Sequence, residues 1–397
     1  MLEEFMSSIG YTTEEIQMIQ SIYPKSRYPE STTLFNLKNL YNFFRRNGVD
    51  NHDFISITKV IPNIISSSIE NIKIRINELS GFGFNRIDAF QIIKEYPYVL
   101  EISNLKIKNK FERLQELGFP KENIIQIITS FPSIFQLESS SLKKRFEFLQ
   151  VCHYPTRDVI HIFTEVPTLF DCSRSVVQKR IHSLEEAGFN MDDILKITTF
   201  LPTILLEDDQ SIISKFSPLT QLGYKEMDIV QIVKKVPFIL KTHFQEELES
   251  RVSCYLQLGF TKEDIIEMTS NNPYLFLYSN DSIHEKFNGI QSLGFSIDEV
   301  IKMIHHFPLL LGYDINSIQE KIKFYRSIQF DSILVSDSKV FMHNLEFIKM
   351  RYSYLSKKIQ DFSVKDSSTL FMKDSEFKKK FHITREDLIK EEGTWMF

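Results

Sequence analysis

Eight cations recur at one position of a periodic chain: Arg75, Lys110, Arg145, Arg180, Lys215, Arg251, Lys286 and Lys321. Each stands eight residues before a glycine or the residue replacing it, and Arg351 extends the series. In a stacked repeat, equivalent positions form a stripe. The phosphates of a nucleic acid form a line of negative charge that a row of Arg and Lys can follow. The chemistry on offer is therefore electrostatic recognition, with no covalent step. Two other readings fit the same residues: each cation pairs with an acid of a neighbouring unit and fixes the stacking, or the column meets a protein partner.

Patterns for catalysis are missing. Gly81-Phe82-Gly83 lacks the third glycine and the preceding strand of a dinucleotide fingerprint, and no P-loop occurs. His305 and His306 are adjacent on a helix, so they face different directions and do not suit a shared metal. His153 and His161 lie inside repeats. Cys152, Cys172 and Cys254 are widely spaced, without a C-x-x-C pair, which fits a reducing compartment. Asp192-Asp193 and Asp208-Asp209 read as cap and loop acids. The expectation is a non-enzyme with no cofactor and no metal.

What must position the cation column is a two-helix unit. Gly10, Gly48, Gly83, Gly118, Gly188, Gly223, Gly259 and Gly294 share one slot, with His153 and Gln329 in their place in two units. From Gly48 onward the spacing is 35 residues, with one of 36. An aromatic residue usually follows, and fourteen residues beyond the slot stands a proline: Pro24, Pro62, Pro97, Pro132, Pro167, Pro202, Pro237, Pro273 and Pro308. Counting in the same way places His343 in the tenth proline slot. In the unit from Leu105 to Leu137, Lys110, Phe111, Leu114 and Leu117 recur at helical spacing. Gly118 ends that helix and Phe119 plugs the corner. A second helix over about Lys121 to Ser130 turns Ile124, Ile125, Ile127 and Ile128 inward. Pro132 stops it, because the residue before proline is pushed out of the α region. An apolar tail such as Ile134-Phe135 follows as a 3₁₀ turn. Asn85, Asn190, Thr261 and Ser296, each with an acid three residues on, read as capping boxes.

These units resemble the repeat of the mitochondrial transcription termination factor (mTERF) family. Lys110 to Phe119 with Phe131-Pro132-Ser133-Ile134-Phe135 carries the likeness best; Arg180 to Phe189 with Leu201 to Leu205, and Arg251 to Phe260, are similar. Asn344 to Leu355 resembles the family's last arginine-bearing helix, and Ser375 to Phe381 its short terminal element. The resemblance implies an all-α solenoid of about nine 35-residue helix–helix–3₁₀ units, wound as a left-handed half-ring with a basic concave groove. It implies binding of double-stranded nucleic acid, DNA ahead of RNA, in transcription, its termination or RNA metabolism. The alternative is a protein-binding scaffold that uses the concave face. A monomer is expected.

Composition sets the outer bounds. The chain has 397 residues, 42% hydrophobic and 25% charged, which fits a folded protein and excludes a disordered or collagen-like one. Its net charge of −5 means that any basic surface is local. The longest apolar runs, such as Phe307 to Leu311, fall far short of the ~20 residues of a membrane span. The acidic start, Met1-Leu2-Glu3-Glu4, does not read as a transit or signal peptide. That leaves the compartment open between the cytoplasm of a bacterium and a mitochondrion or plastid. Residues 1–33 are expected to cap the array, residues 34–342 to form the solenoid, and residues 343–397 to form a terminal cap and tail. The ending, Arg385 to Phe397, reads as a terminal helix. It also loosely resembles carboxy-terminal export signals of effectors from intracellular bacteria.

Overall fold

A computed structural model describes residues 1–23, 29–241 and 244–393. Pro24 of the amino-terminal half-unit and Thr394 to Phe397 of the tail lie outside the described residues. The described residues form α- and 3₁₀-helices and no strand, an all-α repeat solenoid. The chain comprises two compact units, Met1–Asp209 and Gln210–Phe397.

One repeat shows why the sequence folds in this way. Its first helix is Asn104–Glu116, its second Lys121–Ser130, and its 3₁₀ helix Pro132–Gln136. The second helix has the extent that the apolar spacing predicts. Ile124, Ile127 and Ile128 are buried, whereas Ile125 is only half-buried. Ile125 turns instead toward the preceding repeat, where its Cδ1 would lie 3.1 Å from a Cβ built on Gly83. Ile55 approaches Gly10, Ile160 approaches Gly118, Ile266 approaches Gly223 and Ile301 approaches Gly259 in the same manner. The glycine slot thus serves two ends: it reverses the chain with a positive φ, and it leaves room for the next repeat.

The punctuation residues act as their chemistry requires. Pro62, Pro97, Pro132, Pro167, Pro202, Pro237, Pro273 and Pro308 each open a 3₁₀ helix, a position where the missing N–H costs nothing. Full capping boxes form at Asn85/Asp88, Asn190/Asp193, Thr261/Asp264 and Ser296/Glu299, and also at Thr12/Glu15. The tenth unit departs from the count. Its second helix is only Ser332–Ser336, so its 3₁₀ helix begins at Ser338 and runs to Met342. His343 therefore does not occupy the proline slot; it ends that 3₁₀ helix. The fourteen-residue count assumed a second helix of full length.

In the amino-terminal unit the second helices Asn51–Val60, Arg86–Glu95, Lys121–Ser130, Thr156–Glu165 and Met191–Phe200 pack each upon the next. The slot residues following glycine, from Tyr11 and Val49 through Phe119 and Tyr154 to Phe189, are all buried. Where the plug is tyrosine, the next repeat supplies a partner. Tyr11 Oη meets Thr58 Oγ1 at 2.5 Å and Tyr154 Oη meets Thr198 Oγ1 at 2.7 Å. The carboxy-terminal unit repeats the device, with Tyr224 Oη 2.5 Å from Thr269 Oγ1. Where the plug is Phe84 or Phe260, the equivalent residue is Ile128 or Ile304. The pairing follows from the cost of a buried hydroxyl without a partner, about 1–3 kcal/mol. It ties each repeat to its own neighbour.

The carboxy-terminal unit contains the first helices Phe244–Gln257, Asn280–Ser292, Ile315–Ser327 and Leu345–Lys358. It closes with Asp374–Phe381 and Arg385–Gly393, the latter packed on Leu345–Lys358.

Candidate nucleic-acid interface

The cation column lies on the first helices, on the side that faces the loop after the next 3₁₀ helix. Arg75 donates to Ile102 O and, at 2.7 Å, to Glu78. Lys110 Nζ donates to Leu137 O, Arg145 Nε to Cys172 O at 2.7 Å, and Lys215 Nζ to Leu240 O at 2.8 Å. Lys321 Nζ donates to Phe341 O at 2.5 Å. Arg180 pairs with Asp209, and Arg251 Nη1 reaches Asn280 Oδ1 at 2.6 Å. Arg351 holds Leu370 O at 3.0 Å, Met372 O at 2.5 Å and Asp374 Oδ1 at 2.7 Å. Lys286 is half-buried and makes no hydrogen bond among the described residues.

The partners are thus mostly backbone carbonyls, and only in part the neighbouring acids that the sequence offered. The reason is geometric. The capping acids are engaged at the starts of the second helices, while carbonyls at or just beyond the ends of the 3₁₀ helices need donors. Lys110 is 3% exposed, Lys321 8% and Arg351 2%. These three charges are spent inside the fold. Arg75, Arg145, Arg180, Lys215, Arg251 and Lys286 remain partly accessible.

Burial lowers the affinity of two of these lysines for protons. It pushes the Lys110 ammonium down to about 8, with the nearby Lys106 charge adding to the effect, and lowers Lys321 in the same direction. Below pH 8 both folded and unfolded chains carry the Lys110 proton, and the full cost of burying its charge is present. Between about 8 and the unfolded value near 10.4 the unfolded chain holds more protons, so stability from this group rises with pH. The wild type should therefore gain roughly 1–2 kcal/mol relative to Lys110→Met across that window, and nothing below it. Urea denaturation of both proteins at a series of pH values measures this, and a constant difference would show that Lys110 is not a buried cation.

Exposed cations escaped the column count because they occupy other phases of the same helices. Lys73, Lys108 and Lys143 lie two residues before it and have side chains 50%, 59% and 49% exposed. Lys106, Lys144, Arg174 and Lys179 are exposed as well. Helical phase was the available signal: Lys110 is one turn from Leu114 on the apolar face, so it points inward. Two open grooves separate successive first helices here. One is lined by Lys106, Asn109, Lys110 and Ser139 among others, the second by Ser141, Lys144, Arg145, Phe148, Ser173 and Arg174.

The repeat geometry, the glycine and proline slots and the closing arginine helix coincide along almost the whole chain with one known pattern. The mTERF family model matches residues 5–207, 172–292 and 206–378. The chain belongs to the mTERF family. No curated protein matches the sequence. Membership suggests a nucleic-acid-binding repeat protein, and the two elements likened to the family's ending meet in space. The Leu345–Lys358 helix carries Arg351, which bonds the start of Asp374–Phe381.

The adjacent histidines of this mTERF chain have separate partners. His305 Nε2 lies 3.3 Å from Glu267 and 3.6 Å from Asp264 of the preceding repeat, while His306 Nδ1 faces Val335 O at 3.1 Å in the following one. Asp50, His52 and Asp53 bring three ligand atoms within 4.8 Å of one another at the surface. Asp50 caps its helix and Asp53 lies 3.5 Å from Lys94. No helix among the described residues is long and apolar enough to cross a membrane.

Proposed function

We propose that this protein binds double-stranded nucleic acid, DNA in preference to RNA, and acts in transcription, its termination or RNA metabolism. The observation that carries this reading is the family match, whose three overlapping segments span residues 5–378. Accessible cations on successive first helices supply the charge that a polyanion needs, and the partly accessible members of the column, Arg145 and Lys286 among them, can join them. The protein acts by binding, without a catalytic step.

About six phosphate contacts give a log–log slope of affinity against salt near −5. The full-length protein titrated into a fluorescent duplex between 50 and 200 mM salt should therefore lose roughly a thousandfold in affinity. A protein that binds neither duplex nor structured RNA at the lowest salt would overturn the reading. A protein-binding scaffold is the second reading. It is favoured by exposed apolar side chains on the 3₁₀ helices of the carboxy-terminal unit, where Tyr274, Leu277, Leu309 and Met342 are 46–57% exposed.

A further inference from the structure

The first helices of three consecutive repeats carry their charge in the wrong order for helix stability. Asn104–Glu116, Ser139–Val151 and Arg174–Glu186 each hold three cations and no acid in their first seven residues. These are Lys106, Lys108 and Lys110, then Lys143, Lys144 and Arg145, then Arg174, Lys179 and Arg180. Glu112, Glu116, Glu147, Glu185 and Glu186 follow near the other ends. Helix dipoles favour the opposite arrangement, acids first and cations last. The second helices of the same repeats obey that rule, with Glu122, Asp158, Asp192 and Asp193 in their first turns.

The reversal is local. In the carboxy-terminal unit, Phe244–Gln257 begins with Glu246 and Glu247, and Asn280–Ser292 has Asp281 in its first turn. Ile69–Phe82 of the amino-terminal unit has Glu70 there. A charge order that opposes the local field, confined to three neighbours and with six of its nine cations exposed, points to a ligand of opposite sign.

The side chains agree. Lys106, Lys144 and Arg174 are exposed and have no acid within ion-pair distance among the described residues; Arg174 lies 4.8 Å over the Phe148 ring, and all three line the two grooves. Donors remain free on the floor of the second groove: Arg145, partly accessible, uses only Nε and leaves its Nη groups unbonded. Two acids face the same grooves: Glu147 lies 3.5 Å from Lys143, and Glu138 precedes the middle helix. The cationic half recurs from one first helix to the next with an open groove between neighbours, an arrangement along which an extended polyanion can lie.

We infer that the amino-terminal halves of Asn104–Glu116, Ser139–Val151 and Arg174–Glu186 form one phosphodiester-backbone track, centred on Lys106, Lys144 and Arg174. The inference rests on the nucleic-acid reading above and narrows it to three repeats. Backbone phosphates lie in the grooves between these helices and accept from the rim cations and from Arg145. The track carries affinity and positioning; base identity is not read by it.

The test uses the full chain and a 25-bp duplex of arbitrary sequence, with affinity followed by anisotropy across a salt series. Lys106→Gln/Lys144→Gln/Arg174→Gln should weaken binding at least 30-fold at 100 mM salt and flatten the log–log slope by about 2.7, or 0.9 for each lost phosphate contact. A control triple of exposed cations elsewhere, Lys302→Gln/Lys323→Gln/Lys379→Gln, should change affinity less than threefold. Lys106→Glu places an acid opposite the Ser103 cap, so it should melt at or above the wild-type temperature while losing affinity. Equal losses in the two triples, an unchanged slope in the first, or a lower melting temperature for Lys106→Glu overturns the track and leaves duplex binding standing. A wild type that ignores duplex but binds an acidic peptide through the same three residues overturns the nucleic-acid reading itself.

Discussion

Arg351→Ala should destabilise the carboxy-terminal unit by about 3–5 kcal/mol, the range for removing one partner of a buried charged cluster. The side chain is 2% exposed and bonds two carbonyls and a carboxylate on the chain that leads into the terminal element. Its guanidinium also lies 4.7 Å over Phe347 and 4.4 Å over Phe377. Alanine leaves Leu370 O and Met372 O without this donor and opens space between two rings. Lysine keeps the charge but not the planar fork, so Arg351→Lys should recover less than half of the loss. Guanidinium denaturation followed by near-ultraviolet dichroism measures both. A loss under 1 kcal/mol for alanine would mean that the terminal element is not held by this residue.

A second large effect is expected at the glycine slot. Gly83 has φ of +108°, and an added Cβ would come within 2.7 Å of Lys121 Cε and 3.1 Å of Ile125 Cδ1. Lys121 is flexible and can move; the backbone conformation and the packed isoleucine cannot adjust as easily. Gly83→Ala should therefore cost about 2 kcal/mol, mostly as strain at positive φ. The reverse change offers an internal check. His153 occupies the same slot at φ of 69°, so His153→Gly should stabilise the amino-terminal unit by roughly 0.5–1 kcal/mol. Thermal unfolding of both variants measures the pair. Opposite signs, with the larger change at Gly83, are the expected outcome, and stabilisation by Gly83→Ala would refute the account of the slot.

Much of this molecule was legible in one dimension because its repeats depend on local stereochemistry. Glycine at positive φ, proline at the opening of each 3₁₀ helix and the capping boxes act within a few residues, so spacing alone revealed them. The one shift in register, at Ser338 rather than His343, arose where a helix lost half its length and the count lost its ruler.

The cation column shows the limit. Its existence and its period are properties of the sequence, and so is the family pattern it belongs to. Its direction is not. Whether a charge eight residues before a glycine faces solvent or a carbonyl depends on where the loop of the next repeat passes, some twenty-seven residues along the chain at Arg75, Lys110 and Arg145. Three members are buried there, while Lys106, Lys144 and Arg174, irregular in sequence, share exposed grooves. The sequence by itself determined which residues end, cap and turn each helix, because those choices are settled by backbone energetics within one turn. Only the tertiary structure decided which cations are free to meet a ligand, because exposure is set by the neighbouring repeat.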